Sequence, residues 1–587
     1  MNSLIYIFLF TLVALLQTSV NSTTTTTLYV NLNSTSTSVD CGIDITVANA
    51  CPDLQSALTS FTKSGVIGPL IILLAGGVYT GPGNANIQVY NQTITIDSAD
   101  PQGPTPVAFN LTTAGAPYFI QIAPPANTLA SQYDSTFVTL THTYVTDLKL
   151  GVDQPGGVIF ANVTSGIVGI SLVNDNFYNI SSIDIINVIT PPNPPNVTIT
   201  DCEFRDLQAG HAIISLVGAS LALSNSVFTT SSALYFVALG EQSIGYFDSN
   251  NYAYNSFVNN NGAIIYVTES FGSYLEGERF EYNYIGNGAL FQVYNAWVQT
   301  DSLFFINNNS TAIAVSGQYA SLNMTYTKIF FNFGSVYGQV YVSDGANATL
   351  IDCVLDSGGA SFGGALALNA TAYVTLERIT LTNNTASNVG GAIYANSVKS
   401  LVIQDSELAN NQAQSVGGGG AIYATNSPSV AISNTVIDSN NAADGAGITC
   451  QQSSVFTLDT VSFTNNTDSA ADATQISCLG NGCLVSGNSG SCNTNGSPTT
   501  GATGSTGGST TGSTGGSTTG GAGSTTGSAG STGGSTSGGS SKGGEKKLTT
   551  GQKIGIGAGA AAGVAAIAGI IIVVVIKKRS AAYQPIV

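Results

Sequence analysis

Charge is scarce in this chain, and positive charge scarcer still. Of 587 residues 8% are charged, and 14 Lys and Arg face 32 Asp and Glu, for a net charge of −18. Between the N-terminal apolar run and the Gly/Ser/Thr tract, the strong bases are Lys63, Lys149, Arg205, Arg279, Lys328, Arg378 and Lys399. They form no basic stripe, so nucleic acid and acidic polysaccharides are poor partners. Histidine is limited to His142 and His211, which excludes a His-based metal site. Helical periodicity is missing too. No stretch between Ser135 and Cys492 keeps a 3.6-residue apolar period long enough for a helix.

What the chain has in abundance is repetition. Gly363-Gly364-Ala365-Leu366 returns as Gly390-Gly391-Ala392-Ile393 and Gly419-Gly420-Ala421-Ile422. A second phrase, apolar-x-Asn-Asn, alternates with it at Leu381–Asn384, Leu408–Asn411 and Phe463–Asn466. Each recurs roughly every 25 to 29 residues, a period that marks solenoids. Fainter copies run upstream: Asn261–Ile264, Asn287–Leu290 and His211–Ile214 for the first phrase; Phe257–Asn260, Phe280–Asn283 and Phe305–Asn308 for the second. Short alternating runs between them, rich in β-branched residues and bounded by Gly, Asn or Ser, read as strands.

Such a repeat cannot bury itself alone. Stacked on its neighbours it forms a parallel β-helix with one continuous core. The apolar residue of the second phrase then points inward, and an Asn near the turn bonds the Asn above and below, as stacked amides do in other sheets. The Gly pair permits positive φ at a corner, and the Ala fits a tight inner position.

These two phrases resemble the repeats of the chlamydial polymorphic outer-membrane proteins, and of eukaryotic pectin-lyase-like β-helix proteins that share them. The resemblance covers about residues 250 to 470 and implies an all-β, right-handed parallel β-helix. It departs from the bacterial proteins in having no membrane β-barrel at its end. Before the repeats, Pro52–Leu58 reads as a short amphipathic helix, followed by Leu70–Leu74 and Gly76-Gly77-Val78-Tyr79. That order is similar to the N-terminal cap of pectin-lyase-like proteins. A cap hides the unpaired edge of the first coil.

The expected organisation is a signal peptide over 1–22, a Thr/Ser-rich segment over 23–40, cap and first coils over 41–134, and the β-helix over 135–495. A Gly/Ser/Thr stalk over 496–547, a membrane helix over 548–576 and a tail over 577–587 follow. Leu4–Leu16 is too short to span a bilayer and precedes small residues suited to cleavage. Ile554–Ile576 is long enough to cross, and Lys577-Lys578-Arg579 behind it place the C-terminus in the cytoplasm. Gly555, Gly559 and Gly563 have the spacing of close helix contacts. The tail contains Tyr583-Gln584-Pro585-Ile586, which resembles the sorting signal of lysosome-associated membrane glycoproteins. The resemblance implies that a clathrin adaptor reads Tyr583 and Ile586 as an extended strand.

In a secreted chain, Asn-x-Ser/Thr sequons are glycosylation acceptors. They include Asn91, Asn110, Asn162, Asn179, Asn196, Asn323, Asn347 and Asn369, with Asn383 close to the expected Asn ladder. All eight cysteines precede the expected span, on the side where disulfides persist. Cys41 is expected to pair with Cys51. Cys450 and Cys478 lie one coil apart and are expected to pair, leaving Cys483 for Cys492. Cys202 and Cys353 lie too many coils apart and are expected as buried thiols.

Glycan-cleaving β-helices need clustered carboxylates. The pairs Asp352/Asp356, Asp405/Glu407 and Asp438/Asp444 fall on different coils, and Glu269, Glu276, Glu278 and Glu281 around Arg279 read as a solvated acidic face. Gly210-His211 resembles half of a polygalacturonase Gly-His-Gly, broken by Ala212. No catalytic, cofactor or metal residue is assigned. The dense aromatics Tyr246, Tyr252, Tyr254, Tyr266, Tyr274, Tyr282, Tyr284, Tyr294 and Trp297 are expected to pack in ladders, in the core or half-buried, with a sugar- or protein-binding strip as the other reading. The functional expectation is a single-pass type I membrane glycoprotein of the cell surface or endolysosomal membrane. Its ectodomain serves recognition, adhesion or protection and meets a glycan or cell-surface protein ligand. The rival is a tethered polysaccharide lyase or hydrolase.

Overall fold

The repeats stack as expected, and the stack begins earlier than the phrases announce. The computed structural model describes residues 25–487, apart from short internal stretches of which the longest is 125–134. Three parallel sheets run along one axis, and each coil contributes a strand to the first face, then the second, then the third. The first face holds 17 strands, from Thr26–Val30 to Leu484–Gly487; the second holds 15, from Gly77–Tyr79 to Ser462–Thr464. The third holds 17, from Ile87–Val89 to Ile476–Leu479. A five-stranded ledge, Gly359–Phe362 to Thr467–Asp468, joins the later coils. Thr26–Val30, inside the Thr/Ser-rich segment, already pairs in register with Leu70–Leu74.

Alternation explains the core. In Ser135–Thr141 every second side chain is buried, as period-two strands on one interior require. Like stacks on like. On the second face Phe177, Phe204, Phe228, Tyr252, Phe280 and Phe305 form an internal column with successive centroids 4.9, 4.5, 5.0, 5.0 and 4.5 Å apart. Ile329, Leu355, Leu381, Leu408 and Ile437 continue it in register.

The apolar-x-Asn-Asn phrase splits into two tasks. The first Asn is the surface corner, with positive φ at Asn383, Asn410 and Asn465, a conformation Asn tolerates well. The second is buried. Asn384 donates to Asn411 at 3.0 Å, Asn411 to Asn440 at 3.0 Å, and Asn440 to Asn466 at 2.9 Å. Each also donates to a backbone carbonyl, as Asn411 does to Leu381 at 2.9 Å. Upstream the ladder runs Asn255, Asn283, Asn308, Asn332. It breaks at Gly358, where the Gln339 side chain fills the space and donates to the Asp356 carbonyl at 2.9 Å. The copy expected at Phe257–Asn260 is corrected by this register. Tyr252 and Asn255 occupy the column and ladder positions, and Phe257 sits in the next short strand.

In the first phrase Gly390 has φ 71°. A Cβ on Gly391 would lie 2.2 Å from the Gly420 carbonyl, so the second glycine answers to a close backbone approach. Ala392 behind it is fully buried.

One α-helix, Leu54–Ser64, covers the start of the stack. Asp53 caps it through its side chain on the Ser56 amide, and Gly65 ends it with φ 67°, a standard C-terminal stop. Leu54, Ala57, Leu58 and Phe61 face inward. No helix among the described residues is long and apolar enough to cross a membrane. Leu4–Leu16, the stalk, Ile554–Ile576, Tyr583 and Ile586 lie outside the described residues.

Cys41 and Cys51 are bonded. The Cys450–Cys478 pairing is corrected. The two residues stack in register, but Cys450 is bonded to Cys483. In-register side chains leave a parallel sheet along parallel vectors about 4.8 Å apart, beyond the Cβ separation a disulfide favours. Cys483 instead sits at the corner before the last strand, with Cα–Cα 5.9 Å to Cys450. The Cys483–Cys492 pairing falls with it, and Cys492 lies outside the described residues. Cys478 is disulfide-bonded as well. Cys202 and Cys353 are buried free thiols.

Candidate functional site

The three outer faces differ in what they offer. Arg205, Arg279 and Lys328 project from strands of the second face, with Glu203, Glu281 and Glu407 among them. The strands of the third face carry no Lys or Arg at all. Their outward column reads Tyr266, Gln292, Ala314, Tyr341, Ala367, Tyr394, Tyr423 in consecutive register.

A recess of about 290 Å³ opens on this face. Its floor is small, Gly288, Ala289 and Ala314, and its polar lining is neutral apart from Asp344: Asn287, Gln292, Thr311, Ser316, Ser335 and Ser343. The wall is the loop carrying Ser335, Val336 and Tyr337, which follows Asn332 of the ladder. Ser335 Oγ donates to Asn287 Oδ1 at 2.8 Å and ties that wall across two coils. Tyr337 stacks flat on Tyr341 with centroids 3.9 Å apart, and burial beside Tyr341 pushes its hydroxyl up to about 12. Asp344 accepts from Ser343 Oγ at 2.9 Å. Downstream, Phe362 lies 5.1 Å from Tyr394, and Tyr394 stacks on Tyr423 at 5.9 Å. The arrangement offers amides, hydroxyls and aromatic edges along one axis, the donor set for hydroxyl-rich ligands.

Further up the same face, Asp184 and His211 are bonded Nδ1 to Oδ1 at 2.8 Å. They lie 27 residues apart, one coil. Asp184 is buried and also accepts from Ala212 N at 3.0 Å and Asn187 Nδ2 at 2.9 Å. The Asp184 hydrogen bond raises the His211 imidazole above its ordinary value. Tyr235 meets His211 edge-on at 5.6 Å and stacks on Tyr266 at 4.5 Å.

The carboxylate pairs singled out from sequence are turn and surface groups. Asp352 is held low by Arg378, which reaches it at 2.8 and 3.0 Å. Asp438 is held low by hydrogen bonds from Thr464 first, then Ser439. Asp405 accepts from Asn434 at 3.2 Å. In the acidic run, Arg279 pairs with Glu281 and lies 4.9 Å over the Phe304 ring. Glu278 corrects the solvated-face reading: it is fully buried, and burial raises its carboxyl well above the usual range. The aromatic middle divides: Tyr252 is in the core and Tyr246, Tyr266, Tyr274 and Trp297 are half-buried, while Tyr254, Tyr282, Tyr284 and Tyr294 are exposed. Tyr254 stacks on Tyr282 at 5.1 Å on the outside.

Among the sequons, Asn91, Asn162, Asn179, Asn323 and Asn383 are exposed, and Asn110, Asn196, Asn347 and Asn369 are half-buried. Asn110 donates its amide to Asp147 at 3.0 Å. Asn369 accepts from Asn396 at 2.9 Å.

The family model described as a right handed beta helix region matches residues 311–497. No curated protein matches the chain in sequence. Among solved structures, a periplasmic alginate epimerase is similar at 13% identity and TM-score 0.26, over 62% of this chain and 76% of its own. The A-module of an Azotobacter vinelandii mannuronan C-5 epimerase is similar at 8% and 0.24, over 74% and 96%. Tailspike protein 3 of bacteriophage CBA120 is similar at 10% and 0.24, over 73% and 59%. At these values the likenesses carry no argument about ligand or reaction; the parallel β-helix stands on the strand pairing itself.

Proposed function

We propose that this protein is a carbohydrate-recognising β-helix whose ligand lies along the third face and is held in the recess around Tyr341. The observation that carries the reading is the composition of that recess: a floor of Gly and Ala, a stacked Tyr337–Tyr341 wall, and a lining of amides and hydroxyls with one carboxylate. A hydroxyl-rich chain finds donors and acceptors there without an unpaired charge to bury. The reading is one of recognition rather than cleavage. The strands of the face carry one carboxylate, Asp184, and Asp344 stands six coils away, about 29 Å by the coil spacing. A glycosidase holds its two carboxyl groups within about 10 Å.

The setting we propose for this ectodomain is a type I membrane glycoprotein, with Ile554–Ile576 as the span and N-glycans at exposed sequons such as Asn323. Tyr583 and Ile586 then act as an adaptor-read sorting signal. The supports are the span length, the basic residues behind it and the sequon pattern. Glycan-array binding by the full chain tests recognition directly. Tyr341→Ala is expected to lower affinity for the best ligand at least tenfold, because a hydroxyl-bearing aromatic at the centre of a recess dominates such contacts. An unchanged affinity sinks the site assignment. Tyr583→Ala is expected to move the protein from endolysosomal membranes to the cell surface; an unchanged distribution removes the sorting reading.

A further inference from the structure

Across the strands of the third face, Asp184 and His211 are the only Asp, Glu, Lys, Arg or His residues, and they are bonded to each other. Chance surface pairing does not build what surrounds them. The strand carrying His211 is bulged at the pair. The register between Ser181–Ile189 and Gln208–Val217 shifts at Ser182/Asp184. Gly210 and His211 then occupy the space opposite the single residue Ile183. Such a bulge re-aims a side chain out of the regular pleat. Asp184 is pinned by three donors: the His211 imidazole, the Ala212 amide and the Asn187 amide. Asn187 Oδ1, next to it, is buried with no partner.

The second histidine supplies the contrast. His142 pairs with Asp97 at 3.0 Å, but that carboxylate is 28% exposed, against 9% for Asp184. His142 sits on a positive-φ corner rather than within a sheet. It is an ordinary surface pair.

The Asp184 bond fixes the His211 tautomer. Nδ1 carries the hydrogen toward the carboxylate, and Nε2 is left for whatever lies on the face. From there Tyr235 and Tyr266 lead in stacked sequence to Gln292 at the edge of the recess. The strand of His211 is three coils from that of Gln292, about 14 Å by the coil spacing.

We propose that His211, oriented by Asp184, is a second subsite of the same groove, taking a hydroxyl of a neutral polysaccharide whose chain runs along the helix axis into the Tyr341 recess. The proposal rests on the reading of that recess as a glycan site. Neutral chemistry follows from charge. The pair is anionic when the imidazole is neutral and uncharged when it is protonated, so it never presents net positive charge. No Lys or Arg on the strands of the face offsets that. A hydroxyl can donate to bare Nε2 or accept from Nε2–H, so it is bound in either state. A carboxylate has only the protonated Nε2–H to accept from, beside the Asp184 charge and with no Lys or Arg on these strands, so a uronate is held less well than a neutral sugar.

The test is chain length. Full-length protein is titrated with trisaccharides and heptasaccharides of neutral glucans, mannans and galactans, and with heptameric uronates. A trisaccharide reaches the recess alone; a heptasaccharide reaches both sites. The native protein is expected to bind a neutral heptasaccharide at least tenfold more tightly than the matching trisaccharide. His211→Ala removes that gain and leaves the trisaccharide unchanged, and His211→Gln, which keeps a hydrogen-bonding end, recovers part of it. An equal heptasaccharide affinity in native protein and His211→Ala overturns the subsite while the recess reading stands. Failure of every neutral oligosaccharide on native protein overturns both. Tighter binding of a uronate overturns the neutral assignment.

Discussion

Two corners of the same coil hold inward polar groups in opposite ways. Where the second face turns into the third, the buried position is Asn at Asn283, Asn308, Asn332, Asn384, Asn411, Asn440 and Asn466. Where the first face turns into the second, the matching position reads Asp175, Cys202, Ser226, Asn250, Glu278, Leu303, Thr327, Cys353, Ile379, Ser406. The task there is often the same, to accept the backbone N–H of the coil below. Ser226 does this for Cys202 at 3.2 Å, Asn250 for Ser226 at 2.8 Å and Glu278 for Asn250 at 3.2 Å. An amide both donates and accepts, so Asn stacked on Asn satisfies itself indefinitely. A hydroxyl accepts from the coil below but donates to its own chain, as Ser226 Oγ does to Ser224 O, and a buried carboxyl donates only when protonated. One corner is therefore periodic and indifferent to pH, and the other is mixed and titratable.

Cutting the periodic corner breaks the comparison most sharply. Asn411→Leu strands the Asn384 backbone N–H in the core and removes one bond each from Asn384 Nδ2, Asn440 Oδ1 and the Leu381 carbonyl. At about 1–3 kcal/mol for the unpaired N–H and about 1 kcal/mol for each other lost bond, the expected loss is about 4–6 kcal/mol. Ser406→Ala on the mixed corner strands only the Ile379 N–H and is expected to cost about 1–2 kcal/mol. Chemical denaturation of both variants measures the ratio. Equal losses would mean the amide ladder is no more than a row of caps.

The next effect is in pH. Burial holds Asp175 at about 7 and raises Glu278 well above the usual carboxyl range. Both are raised in the fold relative to the unfolded chain. Their stability contribution is full below pH ~4, where both states are protonated, and falls as pH rises, for Asp175 up to about 7. Melting temperature is expected to drop from pH 4.5 to pH 8. Glu278→Gln keeps the acceptor to Asn250 and removes its share of the slope, so the variant melts above native protein at pH 8 and beside it at pH 4.5. A slope unchanged by the substitution contradicts the buried acid.

The smallest effect concerns the thiols. Cys202 is raised by burial first, and Cys353 is raised to about 11, again by burial. Both are expected to resist alkylation in the native state and react fully in denaturant, while Cys353→Ser, which can still donate to the Ile351 carbonyl, shifts stability by about 1 kcal/mol or less. Native-state labelling of either places it outside the core.

The recess was less legible than the ladder. Phe280–Asn283 and Phe305–Asn308 announced their places because each residue repeats its neighbour's environment. The recess depends on neighbours rather than on the repeat: the Ser335–Tyr337 segment bridges to the next coil at Phe362, and its meaning depends on which coil lies beside it. Asp184 carried no local mark at all. His211 did, as a fragment of a motif it does not complete, and its partner was found one coil away.

The sequence alone determined the stack, its inward columns, the existence of an amide ladder within apolar-x-Asn-Asn and the solitude of Cys202 and Cys353. All of these follow from period, because a residue one coil away is in contact whatever the details. The tertiary structure decided what period leaves open. It chose Cys483 over Cys478 for Cys450, buried Glu278, put the second Asn of the phrase in the ladder and the first at the corner, exposed Tyr254, Tyr282, Tyr284 and Tyr294, and joined Asp184 to His211. Each depends on the direction a side chain takes from its corner or bulge, and direction is set by the packing of adjacent coils rather than by spacing along the chain.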